Sequence, residues 1–364
     1  MSPTTVTSAV NELIRTGWVQ EDGVGHSSGG RKPILLRFSP DRQFLVGVSI
    51  THTSITIAEM NFKTVILRKM RFPIKEQTSD VFVEYVFDSI DRFLQTVSDR
   101  HRLVGLSIIV PGIVDAERGV IQYNSKLQLK NVPLKAMVEE RYQMKTCLDN
   151  DTNAMVLAEK LYGAYSHLNN LIYVMVGDAV GAGIMVNGQI FRGFHGGAGE
   201  FGHTSIDRGG IPCECGNTGC LENYISWYAV YSRILSSIAK GRSSEMLKLA
   251  EGDFTRISPD IFRKAIERKD RLATEIAEES VGYLSVGIVN LINLFDPEMI
   301  ILGGPMVEAN RLLVPGVQKE VSRKAVLREG VQVRTASISK DFGLKGAAAV
   351  MLQELLHIPL PSNH

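Results

Sequence analysis

Three of the four cysteines fall within eight residues, at Cys213, Cys215 and Cys220, and His203 lies ten residues before the first. A chain that must bring these four side chains together is pinned to a tight loop at that point, whatever surrounds it. Three thiolates and one imidazole form a complete tetrahedral set of the kind that suits Zn2+ and leaves no open coordination position. The expectation is a structural zinc, not a metal that activates water. Gly216 and Gly219 allow the chain to fold closely around the ion. Secreted disulfide scaffolds place more cysteines along shorter chains, so this clustering favours metal binding in a reducing compartment.

The chain has 364 residues, with 40 Lys+Arg against 39 Asp+Glu. A net charge of +1 exerts no global pull toward nucleic acid or membrane, so any DNA contact must come from a local basic patch. No apolar run approaches the roughly 18 residues of a membrane span, and the N-terminus lacks a signal-peptide pattern. A cytoplasmic protein of two or three domains is expected.

Residues 1–40 read as one unit. Ser2-Pro3 is a helix start, Val6, Val10, Leu13 and Ile14 repeat at helical spacing, and Gly17 ends the helix. Trp18–Gln20 and Ile34–Phe38 read as strands on either side of a glycine- and serine-rich turn over 23–30. Helix, strand, loop and strand compose the second half of a winged helix. From residue 44 the pattern is α/β. Three strands, 44–51, 54–61 and 65–73, precede a helix at 79–97 and a buried strand at 103–110, with a further helix at 152–164. A second strand set starts at 171–176 and continues over 181–187. Helices follow over 222–240, 258–267 and 271–294, then a strand at 299–302, a helix near 307–327, a strand at 331–339 and a closing helix at 343–357. Two α/β halves around a ligand cleft are predicted.

Glu200-Phe-Gly-His203, the Cys-x-Cys-Gly-x-x-Gly-Cys-Leu-Glu run ending at Glu222, and Leu148-Asp-Asn-Asp-x-Asn153 resemble the ROK family of repressors, open reading frames and kinases. The resemblance implies two actin-like (RNase H-like) halves with a monosaccharide bound between them, and assembly as a homodimer or homotetramer. The halves are expected at 43–157, joined by the C-terminal helix 343–364, and at 158–342, which carries the zinc motif. Asn150, Asp151, Glu200, His203 and Glu222 match the family's sugar contacts. Asx residues also cap helices, so Asn150 and Asp151 carry that second reading. His203 would bind zinc through one nitrogen and a sugar hydroxyl through the other.

The repressor branch is matched by Ser2–Val10, which resembles a recognition helix, and by Ser28-Gly-Gly-Arg-Lys-Pro33, which resembles a wing and linker. Ser2, Thr4, Thr5 and Thr7 suit phosphates and base edges, and Arg31 and Lys32 suit a groove. The helix that usually precedes a recognition helix is not in this sequence, so weak operator affinity is expected.

In ROK kinases the aspartate matching Asp151 is the catalytic base, and two glycine-rich turns cradle phosphate. Here the first turn reads Ser49-Ile-Thr-His-Thr53, without its acid or glycines, and the second reads Gly177-Asp-Ala-Val-Gly-Ala-Gly183. Asp178 sets a negative charge against phosphate, a repulsion of several kcal/mol in order of magnitude. The expectation is therefore a sugar-responsive repressor without enzyme activity. The alternatives are a hexose kinase using ATP and a protein that binds a sugar-transport component. The recognition helix and wing resemble the xylose-repressor group; the sequence does not fix which sugar binds or the direction of the response.

Overall fold

The computed structural model describes residues 2–26, 32–74, 79–326 and 330–356. Helix α1 (Pro3–Arg15) starts where Ser2 accepts a hydrogen bond from the Thr5 amide and Pro3 occupies the first turn. Strands β1 (Val19–Val24) and β2 (Ile34–Phe38) pair antiparallel. The first of these runs past Gln20, so Gly23 belongs to an irregular stretch of strand and not to the turn; residues 27–31, including Arg31, lie outside the described residues. Trp18 joins this unit to the rest: its ring packs 6.2 Å from Phe38 and 5.1 Å from Phe62.

Strands β3 (Phe44–Ile50), β4 (Ser54–Asn61) and β5 (Ile66–Pro73) form the expected meander, followed by α2 (Ser79–Leu94) and β6 (Leu103–Val110), which returns parallel to β3. Next comes a small antiparallel sheet with no counterpart in the sequence reading, made of β7 (Ile113–Asp115), β8 (Val120–Asn124) and β9 (Leu129–Val132). After α3 (Leu134–Tyr142), β10 (Thr146–Asn150) completes a five-stranded sheet of order β10-β6-β3-β4-β5. Helix α4 (Asp151–Tyr162) follows without a break.

The second five-stranded sheet, β13-β12-β11-β14-β15, is built from β11 (Leu171–Val176), β12 (Val180–Val186), β13 (Gln189–Ile190), β14 (Met299–Gly303) and β15 (Gln332–Thr335). The long excursion between β13 and β14 holds α5 (Glu222–Ile225), α6 (Trp227–Ala239), α7 (Glu245–Leu249), α8 (Pro259–Glu267) and α9 (Arg271–Phe295). The single helix expected near 307–327 is two, α10 (Pro305–Ala309) and α11 (Leu313–Lys324). Asn310 breaks it: buried between them, its amide donates to the Ala277 carbonyl and its carbonyl accepts from the Leu312 amide, 3.1 Å each.

Helix α12 (Phe342–Leu356) packs on the first sheet and against α4. Gly346 allows that approach, since a Cβ there would lie 3.0 Å from the Ala154 methyl. Residues of both sheets, such as Leu45 and Tyr173, share one apolar core with Met155 of α4 and Met351 of α12. The boundary expected at 157/158 falls inside α4, a helix buried along most of its length and in contact with both sheets. Among the described residues no helix is long and apolar enough to cross a membrane.

Candidate functional site

Asn150 ends β10 and caps α4. Its Oδ1 accepts from the Thr152 amide (2.9 Å), the Thr152 hydroxyl (2.6 Å) and the Asn153 amide (3.2 Å), while Nδ2 donates to the Gly112 carbonyl at 2.8 Å. The capping reading therefore describes what this side chain does, and a single N–H remains for a ligand. Asp151 is the first residue of α4. Burial, opposed by the hydrogen bond from the Thr152 amide and reinforced by the charge of Glu200, pushes its carboxyl up to about 6.

Glu200 precedes the short turn Phe201–His203. Burial raises its pKa, with His203 opposing and Glu222 adding to the rise. The His203 ring faces two ways, with Nδ1 3.6 Å from the Cys213 sulfur and Nε2 4.0 Å from a Glu200 oxygen. Glu222 opens α5; one of its oxygens accepts the Val180 amide at 2.8 Å, and the other lies 3.5 Å from the Lys126 ammonium. All five of these residues line one cavity of about 320 Å³, together with His52, Lys126 and others.

The metal-ligand atoms of His203, Cys213, Cys215 and Cys220 all lie within 4.8 Å of one another. The Cys215 and Cys220 sulfurs are 3.6 Å apart, close to the edge of about 3.8 Å expected when thiolates sit 2.3 Å from a tetrahedral zinc. Soft donors, their number and their spacing all fit such an ion. Gly219 makes the loop feasible: it has φ +72°, and a Cβ there would sit 1.8 Å from the Asp207 carbonyl oxygen.

Lys126 was not singled out in the sequence, and His52 only as part of the altered first turn. Lys126, on the loop between β8 and β9, donates to the Asp178 carbonyl (3.0 Å) and stands 5.1 Å from the centre of the Tyr228 ring. A lone lysine in an unrecognised hairpin carries no local signal of such contacts. His52 sits in the β3–β4 turn, where burial and the nearby Lys126 charge hold its pKa down to about 4. In that turn the Thr51 hydroxyl accepts from the Thr53 amide (3.3 Å) and the Ser54 amide (3.0 Å), so these two donors are turned onto their own chain. In the β11–β12 turn the Gly177 amide bonds the Ala179 carbonyl at 3.0 Å, and burial raises the Asp178 carboxyl.

The N-terminal residues divide in two. Ser2 and Thr5 are occupied with the cap, their hydroxyls 2.8 Å apart, while Thr4 and Thr7 share a shallow surface with Ser8, Asn11 and Arg15. Thr7 also donates back to the Pro3 carbonyl at 3.0 Å. No residue of α1 is buried, and Lys32 is exposed just before β2.

Comparison with known proteins bears on the family and the fold. The chain is 29% identical over 363 residues to the xylose repressor of Caldicellulosiruptor bescii, covering 99% of this chain and 90% of that one. A solved ROK family transcriptional regulator, a homologue of the E. coli MLC protein, superposes with a TM-score of 0.85 at 27% identity, covering 97% of this chain and 89% of its own. A ROK family glucokinase from Streptomyces griseus, solved with glucose and AMPPNP, gives 0.74 at 27% identity over 84% of this chain and 98% of its own. Residues 45–354 match the ROK family, and the chain belongs to it.

Proposed function

We propose that this chain is a sugar-responsive transcriptional repressor of the cytoplasm. It binds a monosaccharide in the cavity at the head of α4 and contacts operator DNA through α1 and the β1–β2 wing. The observation that carries this reading is the convergence of Asp151, Glu200, His203 and Glu222 on one cavity, beside a β3–β4 turn whose Thr53 and Ser54 amides are bonded to Thr51. Carboxylates and an imidazole at such a site bond vicinal hydroxyls, and Asn150 orients the helix that presents Asp151. Zinc in the Cys3His set would be structural, fixing the His203 ring so that its second nitrogen faces the sugar. The similarity to a xylose repressor supports xylose as the first sugar to test.

Phosphoryl transfer needs donors that cradle phosphate, and the turn that carries them in family kinases here spends the Thr53 and Ser54 amides on Thr51. Asp151 serves as a hydroxyl acceptor and not as a base. The Trp18 contacts with Phe38 and Phe62 give sugar-driven movement a route to the wing. A coupling of ~1–3 kcal/mol is enough for a useful switch. A homodimer or homotetramer would pair the DNA-binding heads.

The decisive experiment is thermal unfolding with a panel of monosaccharides, with and without Mg-ATP, followed by gel shift on operator DNA. One sugar that raises the midpoint independently of ATP and alters the gel shift supports the repressor. A further rise with ATP and release of ADP would establish the kinase instead.

A further inference from the structure

The cavity has an unequal balance of charge. Among the described residues Lys126 is its one lysine, against the four carboxylates of Asp151, Glu200, Glu214 and Glu222, and no arginine lines it. That lysine is already engaged. Its ammonium lies 3.5 Å from Glu222, 3.0 Å from the Asp178 carbonyl and over the Tyr228 ring. The loop carrying it is tied down next door, where the Ser125 hydroxyl donates to Glu214 at 3.1 Å. If Lys126 turned toward a ligand anion, Glu222 would be left facing Glu200 without a counter-charge.

Two histidines also line the cavity; His203 belongs to the Cys3His set, and His52 adds no charge. His52 stays neutral at physiological pH, because burial holds its pKa down to about 4. The Thr53 and Ser54 amides of the β3–β4 turn are bonded to the Thr51 hydroxyl, which takes two backbone donors away from an anion placed there. Asp151, Glu200, Glu214 and Glu222 all line this one space. A dianion placed among them is repelled by several charges at once in a partly desolvated space.

We infer that the effector is a sugar without a phosphate or other anionic substituent, and that Lys126 is a specificity-determining residue that neutralises Glu222 and so admits uncharged hydroxyls to this acidic cavity. This rests on the proposed sugar site and narrows its ligand by charge. Selection is by exclusion as much as by attraction: hydroxyls find carboxylate acceptors in the cavity, and a phosphate meets the same carboxylates with the one lining lysine already engaged.

The test is calorimetric titration of the full chain with xylose, glucose and N-acetylglucosamine, each beside its own terminal phosphate ester. The expected result is that the sugar that binds does so at least about tenfold more tightly than its ester. An ester that binds as tightly as its parent, or more tightly, overturns the inference and leaves the sugar site standing. Failure of every sugar and every ester to bind overturns both. The Lys126→Gln variant adds an independent reading, since it leaves Glu222 uncompensated. Its expected effect is a wider gap between parent sugar and ester; a narrower gap would mean that Lys126 recruits the phosphate and would overturn the inference. The wild-type titrations decide the matter even if this variant does not fold.

Discussion

Arg192 donates from Nη2 to the carboxylate of Asp149, tying the segment that follows β13 in the second sheet to the strand that ends at Asn150 in the first. Asp149 is only 2% exposed, and its other oxygen accepts the Asn150 amide at 2.8 Å. The pair is therefore a strut across the molecule, one residue from the head of α4. Removing one partner of a buried ion pair leaves the other charge stranded, which typically costs about 3–5 kcal/mol. Arg192→Met is expected to lose that much in urea unfolding, and the double variant with Asp149→Asn to recover most of it. A loss under ~1 kcal/mol in the single variant would mean that water replaces the guanidinium.

The Cys3His cluster makes a second prediction. The purified chain should carry one zinc, and Cys220→Ser should lose it, because Cys220 is fully buried and has no replacement donor. The expected loss of stability is at least ~3 kcal/mol. Sugar binding should fall with it, since the Cys213 sulfur lies against Nδ1 of the same ring whose Nε2 faces Glu200. Metal analysis and titration of one preparation check both. A zinc-free variant with unchanged sugar affinity would uncouple the two sites.

The cluster was legible in the sequence because all four ligands lie within eighteen consecutive residues and answer to one chemical need. The meander, the buried strands and the caps at Ser2 and Asn150 were legible for the same local reason. The β7–β9 sheet was not: its strands have three to five residues, too short for an alternation to stand out. Missing it hid Lys126, which gains meaning only when the hairpin carries it to Glu222, 96 positions away in the chain. The Arg192–Asp149 strut and the break at Asn310 depend in the same way on partners 43 and 33 residues distant. Such pairings come from packing, which no local pattern encodes.

His52 gives a pH prediction of known sign. Its folded pKa of about 4 lies below the ordinary 6.5, so folding holds the ring neutral while the unfolded chain takes up a proton. The stability of this arrangement is fully present above pH 6.5 and is lost as pH falls toward 4, by up to about 3 kcal/mol. His52→Gln should remove that dependence. Its unfolding free energy relative to wild type should improve steadily between pH 6.5 and 4, as read by urea unfolding at several pH values. A constant difference over that range would mean that the imidazole is protonated in place.

Asp151 acts with the opposite sign. Its folded pKa of about 6 exceeds the ordinary 3.8, so below pH 3.8 both states are protonated and no penalty exists. As pH rises from 3.8 to 6 the unfolded chain releases a proton that the folded chain retains, and stability falls; above 6 the full penalty of about 3 kcal/mol remains. Asp151→Asn should therefore be more stable than wild type at pH 8 by up to that amount, with the advantage fading as pH is lowered through 6 toward 4. The same variant should lose sugar binding, because an amide presents one acceptor where the carboxylate offers two. A gain in stability joined to a loss of binding is the mark of a residue kept for its ligand at a cost to the fold. If the variant is instead less stable at pH 8, the carboxylate is supported there by partners that outweigh its burial, and its role is structural.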